Sequence, residues 1–212
     1  MSKFNVPYYA QTADFTCGPA CVLMVMKHFE PSRRIDRSLE FEVWRQCNMI
    51  GVRGADPYGL SVPLMDAGYE VRLLTQHRRV INLAQWKRRL RRRFPSNEVE
   101  LSLLGMKQNR TRALRRGLKV TFKRPLVSDI LHGVDEGSVP IALVHMGVVH
   151  ALNIPHWVVV TAADQERIRF NDPYPPKGFK GVILSHSKFQ KILDDIGSRI
   201  GLTPSVLFVR GP

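Results

Sequence analysis

Cys17-Gly18-Pro19-Ala20-Cys21-Val22-Leu23-Met24-Val25-Met26 is the stretch on which the fold turns. Proline suits the first turn of a helix, where its missing N–H costs nothing. From there to Phe29 the residues are apolar nearly all round, so the helix is expected to be buried. Cys17 then sits at the helix N-terminus, where the dipole and free N–H groups favour thiolate over thiol. Gly18 is expected to let a substrate backbone come close. A free cysteine also packs as a small apolar residue, so Cys17 needs partners before it means chemistry.

Working outward, Val6 to Gln11 is a short extended segment. A second helix is expected after Asp36 to about Met49, then a loop from Gly51 to Gly59. A third runs from Leu60 to Ala67, with Gly68 at its end. Val71 to Leu74 reads as a strand. The second half differs. Ser128 to Glu136 is a short helix, and Val139–Val144, His156–Thr161, Arg167–Phe170, Gly181–Leu184 and Ser205–Val209 are strand-like runs. Ser185 caps a helix to about Ile196. Helices come first and strands gather later, which is an α+β pattern rather than alternating βαβ.

A cysteine nucleophile needs a base, and the base an orienting group. His156 opens one apolar strand, and Asp172 follows the next. If the two strands form a hairpin, Asp172 reaches the imidazole. Gln11, shortly before Cys17, has an amide that suits an oxyanion formed on a carbonyl. His145 and His150 are expected in a surface loop. Cys17, Cys21, Cys47 and His28 make a weak zinc set, since Cys17 and Cys21 share a helical face but Cys47 lies in another element and no Cys-x-x-Cys pair occurs. No metal or cofactor is expected.

The chain has 212 residues, 44% of them apolar and 24% charged, with 32 Lys+Arg against 18 Asp+Glu and a formal charge of +14. That composition excludes a disordered chain, and no apolar run is long enough for a membrane span. Three cysteines and no apolar signal sequence lead us to expect a cytoplasmic protein with free thiols. The whole net charge falls between Arg78 and Arg124, which hold 16 basic residues and two acids. Leu83, Trp86 and Leu90 share one helical face there. A second helix is expected to turn Leu101, Leu104 and Leu114 inward and Arg110, Arg112, Arg115 and Arg116 outward. Such a block suits an acidic peptide partner. It also suits nucleic acid, but no recognised nucleic-acid motif accompanies it.

Gln11, Cys17-Gly18-Pro19-Ala20-Cys21, Pro155-His156-Trp157-Val158-Val159-Val160 and Asn171-Asp172-Pro173-Tyr174, in that order, resemble the C39-type cysteine peptidases. Glu40 to Arg45 and Gly54 to Leu60 resemble the stand-alone C39-like group of that family. The resemblance implies a papain-like α+β fold, a nucleophile helix followed by an antiparallel sheet. It forms one domain over residues 1–212, with a basic, mostly helical insertion at about 78–124. It implies Cys17 as nucleophile, His156 as base, Asp172 as orienter and Gln11 as oxyanion donor. Gly18, Trp157, Arg91, Arg92 and Arg93 are expected to touch substrate. The function expected is hydrolysis of a peptide or isopeptide bond through a thioester. Amide-forming acyl transfer, or non-catalytic binding through the basic insertion, are the alternatives.

Overall fold

The computed structural model describes residues 2–49, 51, 53–79, 95–174 and 179–211. Helix α1 spans Cys17–Phe29 and is buried from Gly18 to Met26, as its all-round apolar sequence requires. Helix α2 is Arg37–Cys47, and Asp36 caps it by accepting from Leu39 N. Helix α3 is Pro57–Asp66 and starts three residues earlier than expected, because Asp56 caps it and Pro57 takes its first position.

These three helices lie on one face of a sheet. Its strands are β1 (Ser2–Lys3), β2 (Glu70–Thr75), β3 (Lys119–Phe122), β4 (Val139–His145), β5 (Pro155–Ala163), β6 (Arg167–Asp172), β7 (Phe179–Ser185) and β8 (Ser205–Arg210). Their order is β3-β2-β8-β4-β5-β6-β7, with β1 beside β5. Among the described strands, only the β2–β3 pair is parallel. Alternation along the strands separates two cores. Ile141, Val159, Leu207 and Val209 face the α1 side with Leu23 and Leu60. Ala142, Val144, Val158, Val160 and Val206 face the other side. There they meet α5 (Val127–Asp135) and α7 (His186–Asp195) through Ile130, Phe189 and Ile192. A short α6 (Gly147–His150) lies between β4 and β5, and the chain after α7 widens into a π turn at Ile196–Ile200.

The basic stretch departs from expectation. Residues 80–94, including Leu83, Trp86, Leu90, Arg91, Arg92 and Arg93, lie outside the described residues. Helix α4 is Ser96–Arg115, but its buried face is Val99, Ser102, Gly105, Met106, Asn109 and Ala113. Leu101, Leu104 and Leu114, expected inward, are exposed. Small residues win the interface because the loop after α2 approaches closely: a Cβ on Gly105 would lie 3.2 Å from Met49 C. The stretch also ends in strand β3, not in helix. Several of its cations pair with acids elsewhere in the fold: Arg116 with Asp66, Lys119 with Glu70, Lys123 with Asp129 and Arg124 with Asp194. Arg112, expected outward, donates to Gln46 O at 2.8 Å.

Asn109 is the polar centre of this interface. Its Nδ2 donates to Asp56 Oδ2 at 2.7 Å, Cys47 O at 3.2 Å and Asn48 O at 3.3 Å. Gly59 makes room for it, since a Cβ there would lie 2.7 Å from Cys47 O and 2.8 Å from Asn109 Nδ2. Gly59→Ala is therefore expected to cost about 2 kcal/mol by overpacking, measured by urea unfolding. An unchanged midpoint would mean that the interface yields freely.

Candidate active site

Cys17 is the first residue of α1 and is partly exposed. Its sulfur accepts from the backbone N–H groups of Gly18 and Trp157 and hydrogen-bonds the His156 ring. Burial alone pushes the thiol's pKa up. The charge and hydrogen bond of His156, with the two N–H groups, outweigh burial and bring it below the ordinary thiol range. Cys21 and Cys47 share the burial without that compensation and are held well above it.

His156 is the second residue of β5 and is 2% exposed. Its Nε2 lies 2.8 Å from Asp172 Oδ1, which leaves Nδ1 for the thiol. Burial opposes charge on the ring, yet the Cys17 thiolate and Asp172 raise its pKa to about 9. Strand β6 pairs antiparallel with β5, and its register shifts against β7 between Phe170 and Asp172. That irregularity re-aims the end of β6. Asn171 anchors it, donating to Val6 O at 3.3 Å and accepting from Gly181 N at 3.1 Å. Asp172 is fully buried, which favours the neutral acid. The hydrogen bond and charge of His156, then the Tyr174 N–H and His150, reverse this and hold its pKa below the usual carboxylate range. Both shifts favour a thiolate–imidazolium pair at Cys17 and His156.

Gln11 is 2% exposed and docked beside this centre. Its N donates to Pro173 O at 2.9 Å, one residue from Asp172, and its Nε2 donates to Ala13 O at 2.8 Å. The same Ala13 carbonyl accepts from Thr16, the residue before Cys17. Its amide nitrogen carries a second hydrogen beyond the one given to Ala13. Sequence reasoning missed the clamp that fixes this segment. Buried Glu40, from α2, accepts from Thr12 N at 2.9 Å, Thr12 Oγ1 at 2.6 Å and Tyr9 OH at 3.1 Å.

Gly18 has a packing role: a Cβ on it would lie 2.8 Å from Leu60 Cδ2 and 3.2 Å from Trp157 Cδ1. Protein, not open space for a substrate backbone, fills that position. Trp157 is likewise buried, with Nε1 donating to Ala55 O at 3.0 Å, so its indole braces the wall behind Cys17. Arg91, Arg92 and Arg93 lie outside the described residues. His145, expected on a surface loop, is buried, and the side chain of His150, also expected there, is only 5% exposed and reaches Asp172. No spacing signal foretells this, because a residue six before His156 comes back onto Asp172 only through the reversal at Ala151, with φ 57°. Among the described residues no His, Cys, Asp and Glu group is arranged to hold a metal ion, and no helix is long and apolar enough to cross a membrane.

The family model described as Peptidase_C39 like matches residues 6–191. No curated protein matches the chain. The crystal structure of the peptidase domain of Streptococcus ComA, a bi-functional ABC transporter involved in a quorum sensing pathway, is 14% identical. It covers 100% of both chains with a TM-score of 0.48. A C39-like peptidase from Bacillus anthracis is 13% identical, covering 98% of each chain, also at 0.48. The α+β fold is papain-like, with the thiol at the start of a buried helix and the imidazole and carboxylate on an antiparallel sheet. With its residues from Val6 to Lys191 matched, the chain belongs to the Peptidase_C39 like family.

Proposed function

We propose that this protein is a cysteine-nucleophile hydrolase of peptide or isopeptide bonds. The observation that carries the reading is the Cys17 thiol at a helix N-terminus, hydrogen-bonded to an imidazole whose other nitrogen is 2.8 Å from buried Asp172. Burying a carboxylate and an imidazole together is costly for a surface that only binds, and the pair gives a nucleophile its base.

The Cys17 thiolate attacks the carbonyl carbon. Negative charge moves to the carbonyl oxygen, where the second Gln11 N–H and the Cys17 backbone N–H receive it. The His156 imidazolium gives its Nδ1 proton to the leaving amine, and the C–N bond breaks to leave a thioester. Water then gives a proton to the neutral imidazole, attacks the thioester, and releases the acid and the thiolate. Asp172 holds the ring throughout. The substrate class we favour is an acidic peptide, which the net charge of +14 would attract more strongly at low salt.

Labelling with an iodoacetamide probe at pH 6, read by peptide mass spectrometry, tests the nucleophile. Cys17 is expected to react fast, and Cys21 and Cys47, both fully buried with raised pKa values, slowly. Equal labelling of all three would sink the reading. Acidic peptides retained by Cys17→Ala protein and cleaved by the wild type would identify the substrate.

A further inference from the structure

Two imidazoles, not one, rest on Asp172. His156 Nε2 is 2.8 Å from Oδ1, and His150 Nε2 is 2.5 Å from Oδ2. The side chains are 2%, 5% and 0% exposed for His156, His150 and Asp172, so neither contact is a surface accident. Tyr174 N also donates to Oδ1, at 3.0 Å. The carboxylate therefore has a donor on each oxygen. The His150 ring is held from two sides, stacked on Phe179 with an interplanar angle of 18° and tilted against Tyr174 with centroids 5.2 Å apart.

The segment that delivers His150 is itself built. His145 ties its two ends together, with Gly147 N donating to His145 Nδ1 at 3.2 Å and Nε2 2.9 Å from Asn153 Oδ1. An Nδ1 that accepts leaves the hydrogen on Nε2, which donates to Asn153. Gly147 is required there, since a Cβ would lie 2.6 Å from His145 Cε1 and 2.9 Å from Nδ1. Met146 N donates to Ile154 O at 3.2 Å, closing the neck. Ala151, in the left-handed region, reverses the chain just after His150.

We propose that His150 is a positioning residue of the active site, holding Asp172 Oδ2 so that the carboxylate presents Oδ1 to His156. The inference rests on the cysteine-hydrolase reading of Cys17 and His156. A carboxylate held by one oxygen still turns about its Cβ–Cγ bond, whereas a donor on the second oxygen removes that freedom. His150 acts through Asp172 and touches no reacting atom.

The test is the pH dependence of Cys17 alkylation by iodoacetate. As an anion, iodoacetate reacts well only while the thiolate is paired with imidazolium. The rate thus rises as the thiol ionises and falls as His156 loses its proton near pH 9. The groups facing the Asp172–His156 pair are Cys17 and Cys21 from α1, Tyr8 from the N-terminal segment, Tyr174, and His150 from α6. A wild-type profile without the alkaline limb overturns the hydrolase reading, and this proposal with it. Given that limb, His150→Ala and His150→Phe are expected to move it down toward the ordinary histidine value of about 6.5. They should also slow alkylation at pH 7 by about 10-fold, because the base is misplaced. His150→Phe keeps the ring packing but donates nothing. His150→Gln can donate to Oδ2 and is expected to restore limb and rate. Limbs unmoved or moved upward in the Ala and Phe variants overturn the proposal, upward movement showing that His150 only draws charge off Asp172. It falls equally if Gln fails as completely as Phe, or if all three variants unfold, which would make His150 a structural brace.

Discussion

His156→Ala is expected to abolish turnover and to silence Cys17 at pH 6. Loss of the base in a cysteine or serine centre that works as a unit costs about 10,000-fold or more in kcat. The labelling effect follows from the thiol alone. Without His156, burial is the dominant influence on Cys17, and it favours the uncharged thiol, as it does at Cys21 and Cys47. An ordinary thiol of pKa about 8.5 is only about 0.3% ionised at pH 6. Alkylation should then fall by about 100-fold, the higher nucleophilicity of a more basic thiolate offsetting part of the deficit. Asp172→Ala should lose less, because the ring survives, although its pKa drops from about 9 as the carboxylate is removed. Activity of the wild type is expected to decline as pH rises through that value, where the imidazolium needed by the leaving amine disappears. Full labelling of Cys17 in His156→Ala would show that helix position, not the imidazole, makes the thiolate.

A second large effect lies 39 residues along the chain from Cys17, at Asp56. This carboxyl is 1% exposed, accepts from Tyr58 N and Gly59 N at 3.0 Å each, and receives Asn109 on its other oxygen. Burial outweighs those three hydrogen bonds, and its pKa rises to about 6. An unfolded Asp titrates near 3.9. The folded state therefore binds this proton more tightly, so the stabilisation is fully present below about pH 4 and is lost as pH rises through about 6. Two pKa units correspond to about 3 kcal/mol. Asp56→Asn keeps the cap acceptor and removes the titration. The stability difference, wild type minus variant, should shrink by about 2 kcal/mol between pH 4 and pH 7 in urea unfolding. A gap independent of pH would mean that the carboxyl stays charged, sustained by its three donors.

Local chemistry was legible where one residue type decides it. Cys17-Gly18-Pro19 fixed where α1 begins, and Asp36 where α2 begins, both as found. The β5–β6 hairpin brought His156 to Asp172 because antiparallel neighbours must meet at their ends. Long-range packing was not legible. Helix α4 has two candidate faces, one of leucines and one of Ser102, Gly105, Asn109 and Ala113. Hydrophobicity alone favours the first, whereas the close approach of the Met49 backbone selects the second. Strand β3 was missed because Lys119 and its neighbours are mostly exposed and carry no alternation. His150 was placed at the surface because a histidine in a short polar-ended segment normally lies there. Only the tertiary turn at Ala151 brings it to Asp172.

Strand β8 lies between β2 and β4 and is bonded to both, Leu207 pairing with Leu73 on one side and Ile141 on the other. During synthesis on the ribosome, β2 and β4 therefore have no neighbour in the middle of the sheet until Arg210 has been added. The roughly 65 residues from His145 to Arg210 take about 3 to 13 s at 5–20 residues per second. Over that interval the fully buried side chains of β4 lie beside an open backbone edge, the arrangement that seeds pairing between chains. Cys17, His156 and Asp172 are all translated before the strand that closes the sheet beneath them. The sheet beneath these residues is thus incomplete until β8 emerges, and a ribosome stalled before Ser205 would hold every one of them on an unfinished scaffold.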